Sequence, residues 1–172
     1  MLILYLFGFL IQGAAEEILL RGYFMISLTA TAKPLTAAVT SSLLFSLLHV
    51  GNAGTSFLSI LNVFLFGLLL GFLVFRTGSL WLAAGLHGAW NFAEGCLFGL
   101  PVSGISPGHS ILASVPDATR TLTNGGAFGP EGGAVTTLVL LLALGIFFLL
   151  PTKRWDASDG EQAAPESTMT EF

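Results

Sequence analysis

"MLILYLFGFLIQGAAEEILLRGYFMI", Met1 to Ile26, is apolar enough to cross a bilayer, yet it carries two adjacent carboxylates and an arginine, Glu16, Glu17 and Arg21. A charged side chain near the bilayer centre costs about 2.5–3.5 kcal/mol on insertion scales, so three unpaired ones would approach roughly 10 kcal/mol. Either the segment does not span, or its charges have partners and a purpose. The rest of the chain favours a span. Of 172 residues, 53% are hydrophobic and only 9% charged, against about 25% charged in soluble domains. Besides Leu2 to Ile26, four more segments reach or approach the roughly 17–25 residues a spanning helix needs: Pro34 to Val50, Ser56 to Phe75, Leu80 to Leu100, and Ala134 to Leu150. The expected fold is an all-α, polytopic transmembrane helical bundle of about five spans in the lipid bilayer.

The breaks "TATAKP", "GNAGT" and "RTGS" are short and rich in turn and cap residues, which implies antiparallel neighbours. Residues 105–133 form a Gly/Pro/Ser-rich stretch, expected as an extramembrane loop or as backbone folded against protein. Residues 151–172 hold five of the ten acidic residues and read as a disordered tail. Lys33, Arg76, Lys153 and Arg154 fall on one side of the bundle, with Arg21 leaning toward it, and Arg120 on the other. The positive-inside tendency makes the first side cytoplasmic, and with it the C-terminus. Met1 then lies outside, and a chain that begins within a helix is expected to be a fragment lacking upstream spans. "GLLLG", Gly67 to Gly71, has the small-xxx-small spacing of close helix packing. Cys96 is alone, so no internal disulfide forms. No nucleic-acid partner is expected.

Glu17 and Arg21 are four apart, in the order that favours an ion pair. Glu16, rotated about 100° away, is expected to have no partner in its own helix. Other segments offer some: "FSLLH" places Phe45 and His49 four apart, and "HGAWN" places His87 and Asn91 four apart. At about 1.5 Å rise per residue, Glu16 lies about 15 Å from the Lys33 side, His49 about 22, His87 about 12 and Asn91 about 18. Four polar groups from three helices in one layer mark a functional site. A carboxylate in an apolar pocket can act as general base toward water, and imidazole and carboxamide can donate to an oxyanion. That describes peptide hydrolysis without a covalent intermediate. Glu16, His49 and His87 could instead hold zinc; no HExxH helix is present, and the residues alone do not separate the two.

"EEILLRG", "FSLLH" and "HGAWN" together resemble the EExxxR, FxxxH and HxxxN/D motifs of the CAAX-protease and bacteriocin-processing family, the Rce1-like intramembrane endopeptidases. The resemblance covers about residues 9–104. It implies a protease core over residues 1–104, four of the spans forming it, with a separate C-terminal span over 134–150. It further implies that Glu16 activates the attacking water, His49 helps bind it, and His87 and Asn91 stabilise the oxyanion. Glu17, Arg21 and Phe45 would support the site, and with the family in view no metal is the favoured reading, zinc the alternative. The substrate would be a membrane-associated protein or peptide, of CAAX or bacteriocin type, and the location a bacterial plasma membrane. Family members usually carry further helices before the EExxxR helix.

Three other readings remain in view. "GISPG" fits GxSxG, but it lies in the long loop away from the histidine layer. A proton-coupled transporter could also use Glu and His, and a non-catalytic immunity protein could keep the fold. His109 and Glu131 read as solvated loop residues, and Glu94, seven after His87, as a residue that could line the outer mouth.

Overall fold

The computed structural model describes residues 1–117 and 119–149; the expected disordered tail 151–172, with Lys153 and Arg154, lies outside the described residues. Helix α1 (Leu2–Leu28) is one continuous rod whose middle, Ile18–Met25, winds in π-helical register. It is followed by α2 (Pro34–Leu47), α3 (Phe57–Thr77) and α4 (Leu80–Phe92), the last continuing as a π-helical stretch Ala93–Leu97. A short α5 (Thr121–Asn124), two 3-10 turns (Gly126–Phe128 and Pro130–Gly132) and α6 (Ala134–Leu149) complete the chain. Among the described residues there is no strand, only an isolated bridge between Val102 and Ile105.

The helices begin and end where their cap residues dictate. Pro34 opens α2 at a position whose N–H would have no helical partner. Ser56 and Ser59 form a reciprocal capping box at the start of α3. In "RTGS", Gly78 closes α3 in the left-handed conformation (φ 66°) and Ser79 at once caps α4 by accepting from the Leu82 amide. A C-cap glycine followed directly by an N-cap serine makes the tight antiparallel turn.

Leu2–Leu28 and Phe57–Thr77 are long and apolar enough to cross a membrane, with mean hydropathy 1.6 and 2.5. α2 and α6 are shorter apolar helices, and α2 ends at Leu47, so His49 sits on the turn after it. The bundle is apolar outside and polar within. Ile3, Leu4, Phe7 and Ile11 of α1 are exposed, as are Leu138, Leu142 and Ile146 of α6, while Glu17, Arg21, Asn62, His87 and Asn91 are buried. That pattern suits a lipid solvent, which rewards no burial of leucine.

α1 packs on α4, α2 on α3, and α3 on α6. The α1–α4 contact is backbone against backbone. A Cβ added at Gly13 would stand 2.8 Å from the Gly88 nitrogen, and one at Gly88 would stand 2.9 Å from the Leu10 Cα. Gly67 and Gly71 of "GLLLG" do pack closely, making room for Arg21 and Ser42 and for Met25 and Ala38 respectively. Ser41 of α2 donates to the Leu20 carbonyl in the π-helical stretch at 2.9 Å, tying the wide turn of α1 to its neighbour.

The loop before α6 is more structured than its composition predicts. Its last turns fold inward and bury Phe128 and Glu131. Asn62 of α3 holds them, donating to the Glu131 and Gly133 carbonyls at 2.7 and 2.9 Å while accepting from the Thr137 hydroxyl at 2.7 Å. Glu131 is therefore a buried residue and not the solvated one expected: a polar sequence cannot reveal that a buried amide on a distant helix will satisfy its backbone.

Candidate active site

The close approach at Gly13 and Gly88 sits one turn from Glu17 and one residue from His87. Because no Cβ separates the helices there, the two side chains meet directly: His87 Nδ1 lies 3.0 Å from Glu17 Oε1. The same oxygen accepts from Arg21 Nη1 at 2.8 Å, with both side chains fully buried. A carboxylate paired with a guanidinium only accepts, so Nδ1 carries the hydrogen. His87 Nε2 then faces Glu16 Oε2 at 3.8 Å. His87 thus stands between the two glutamates, and Glu17 is not confined to Arg21.

Glu16 does have a partner in its own helix. Gln12 Nε2, one turn earlier, donates to Glu16 Oε1 at 2.8 Å, and Asn91 Nδ2 reaches Gln12 Oε1 at 3.3 Å. The expectation that Glu16 is unpartnered there overlooked an amide four residues upstream on the same face. Glu16 Oε2, Glu17 Oε2, and Arg21 Nε and Nη2 are buried without hydrogen-bond partners among the described residues.

Aromatic rings fix the remaining geometry. Phe45 and Phe66 meet the His87 ring edge-on, at centroid distances of 5.7 and 5.6 Å. Arg21 lies over the Phe45 ring, its Cζ 4.5 Å from the centroid, a cation–π contact that helps hold a buried charge. His49 packs on the same ring at 4.8 Å, and its Nδ1 meets the Phe45 carbonyl at 2.8 Å. One phenylalanine therefore touches both histidines and the arginine.

All four residues expected to be catalytic, Glu16, His49, His87 and Asn91, line one cavity of about 750 Å³. Phe45 lines it as well, while Glu17 and Arg21 stand behind the wall. Beyond the expected set, Gln12, Asn62, Trp90, Ser103 and Glu131 also face it. Glu94 does not line the mouth; it is buried behind the wall. His109 is exposed, as expected, with its ring 6.0 Å from Tyr5. Ser106 of "GISPG" lies on the exposed loop with no hydrogen bond to a histidine among the described residues.

Zinc was the alternative use of these groups. Among the described residues no three His, Cys, Asp or Glu side chains come together closely enough to hold a metal ion. Glu16, His49 and His87 as arranged do not fit zinc.

No curated protein and no solved structure matches the chain. The family model described as type II CAAX prenyl endopeptidase, Rce1-like, matches residues 1–93, a range that contains all three motifs and every residue expected to be catalytic. The apolar helices and this family together suggest an integral membrane protein. With more than half of its length matched, the chain belongs to the Rce1-like family of type II CAAX prenyl endopeptidases.

Proposed function

We propose that the protein is an intramembrane endopeptidase that cleaves a peptide bond of a membrane-associated protein or peptide by direct attack of water. The observation that carries this is that Glu16, His49, His87 and Asn91 line one cavity, with His87 held between two glutamates. A water bound between Glu16 Oε2 and His49 loses a proton to Glu16 as its oxygen attacks the carbonyl carbon. Charge gathers on the carbonyl oxygen, where the Asn91 amide and His87 Nε2–H donate to it.

The role of His87 carries a condition. Its Nδ1–H is committed to Glu17, so Nε2 can donate only when the ring is an imidazolium. Collapse of the tetrahedral intermediate then breaks the C–N bond, and Glu16 returns its proton to the leaving nitrogen, giving a carboxylate and an amine. Glu17, Arg21 and Phe45 hold the ring and do not react. The steps use no metal ion.

We further propose that α1 to α4 form the catalytic core and α6 a separate span, five spans in all, with the Lys33 and Arg76 side cytoplasmic. The test of function is cleavage of a fluorogenic peptide library by the protein in membranes, compared with Glu16→Gln. Loss of all cleavage by that variant, with folding kept, supports the reading; cleavage at the wild-type rate refutes it.

A further inference from the structure

A chain of three polar side chains crosses from α1 to α4 beside the reacting centre. Gln12 lies one turn before Glu16 on the face of α1 that lines the cavity. Gly13, next to it, lets α4 come so close that a Cβ there would stand 2.8 Å from the Gly88 nitrogen. Asn91, three residues after Gly88, is thereby brought within reach of Gln12. Gln12 Nε2 donates to Glu16 Oε1 at 2.8 Å, and Gln12 Oε1 accepts from Asn91 Nδ2 at 3.3 Å.

Only one orientation of the two amides satisfies both contacts. A carboxylate accepts and cannot donate, so an ionised Glu16 requires the Gln12 nitrogen at its Oε1. The Gln12 oxygen then faces Asn91, which must offer its own nitrogen in return. One N–H of that nitrogen is used, and the second is left for another acceptor. The two oxygens of Glu16 are unequal as well. Oε1 is held by Gln12, whereas Oε2 is buried without a hydrogen-bond partner among the described residues and faces His87 Nε2 at 3.8 Å. A proton arriving on Oε1 would set O–H against N–H and turn both amides over, presenting Asn91 Oδ1 where the reaction needs a donor. A proton arriving on Oε2 disturbs neither contact. Gln12 itself is exposed at the cavity and fills no part of the core.

We propose that Gln12 is a positioning residue of the reaction: by bridging Glu16 Oε1 and Asn91 Nδ2 it makes Oε2 the base and keeps an Asn91 N–H for the oxyanion. This rests on the endopeptidase reading above. The proton of the attacking water passes to Oε2 as the new O–C bond forms and the carbonyl π pair moves onto oxygen. The same Oε2 returns it to the leaving nitrogen as the C–N bond breaks.

The test takes a peptide that the wild-type protein cleaves and compares wild type, Gln12→Met, Asn91→Ala and the double variant, as rate per folded molecule. Gln12→Met keeps the length of the side chain and loses both hydrogen bonds. Its kcat falls roughly ten- to a hundredfold, the scale of a hydrogen bond to a charged group, with KM unchanged. The double variant falls short of the product of the single losses by roughly threefold or more, because part of the Gln12 effect runs through Asn91. Gln12→Glu adds a readout that a structural role does not move. Ionised, the new carboxylate cannot donate to Glu16; protonated, it donates through its hydroxyl and accepts from Asn91 through its carbonyl. The other titratable groups on the cavity, Tyr5, Glu16, His49, His87 and Glu131, are common to both proteins, so the rate of Gln12→Glu relative to wild type rises as the pH is lowered. Wild-type kcat in Gln12→Met, a raised KM in place of a lowered kcat, single losses that multiply, or a Gln12→Glu ratio flat with pH overturns the proposal. If Gln12→Met fails to fold, the Gln12→Glu ratio decides alone. Cleavage of no peptide by the wild type overturns the endopeptidase reading and this proposal with it, whereas cleavage indifferent to Gln12 overturns this proposal alone.

Discussion

Gly88→Ala is the substitution that most sharply tests how the helix crossing positions His87. The added Cβ would stand 2.9 Å from both the Leu10 Cα and the Phe9 carbonyl oxygen. Both are backbone atoms of α1, so no side chain can swing aside. Ordinary contact between carbon atoms is about 3.5–4.0 Å, so relief needs the helices to part by roughly 0.6–1 Å. His87 is the residue before Gly88, and its 3.0 Å contact with Glu17 would stretch toward the limit of a hydrogen bond. A misplacement of about 1 Å can cost roughly a hundredfold in rate, and overpacking costs about 1–3 kcal/mol, offset by up to about 1 kcal/mol of helix propensity. The assay is cleavage rate per folded molecule, with thermal unfolding in detergent measured alongside. Gly85→Ala is the control, since nothing lies within 4 Å of its Cβ position; it should keep the rate and the stability. A Gly88→Ala protein with wild-type rate and melting temperature would refute the reasoning.

Three further outcomes are expected. Arg21→Met alone leaves Glu17 a buried, half-compensated charge and should cost about 3–5 kcal/mol. The double variant Glu17→Gln with Arg21→Met should regain much of that stability in unfolding experiments but not the cleavage rate, because His87 Nδ1 loses its anionic acceptor. Asn62→Leu strands two buried carbonyls at about 1–3 kcal/mol each; limited proteolysis should then cut within residues 125–133, which the wild type protects. A strong chelator should leave the cleavage rate unchanged, and loss of activity restored by zinc would contradict the metal-free mechanism.

Much of this was legible in the sequence, and the failures have specific causes. The helix breaks could be read because glycine, serine and proline act locally: Gly78 and Ser79 end one helix and cap the next whatever the fold around them. The polar layer could be read because helical rise and spacing fix depth, and all four residues do line one cavity. Gln12 was within reach of the same spacing rule, four before Glu16, and was missed. The contact between Glu17 and His87 was not legible, because it depends on a glycine pair, Gly13 and Gly88, that is far apart in sequence. Glu131 was misread for a related reason. Its burial requires Asn62, Trp90 and Ser103 from three other parts of the chain, and composition alone makes any Gly/Pro-rich loop look solvated. The α2 boundary fell at Leu47 and not Val50, since apolar character persists through the turn that ends the helix.

The central claim is direct attack by water that Glu16 activates, with no acyl-enzyme, and a single turnover in oxygen-18 water tests it most directly. With protein in excess over peptide, mass spectrometry of both is expected to find one labelled oxygen in the new carboxylate of the product, an unlabelled Glu16, and no peptide adduct at any quenching time. A covalent peptide adduct on the chain, or label appearing in Glu16 during turnover, would contradict it.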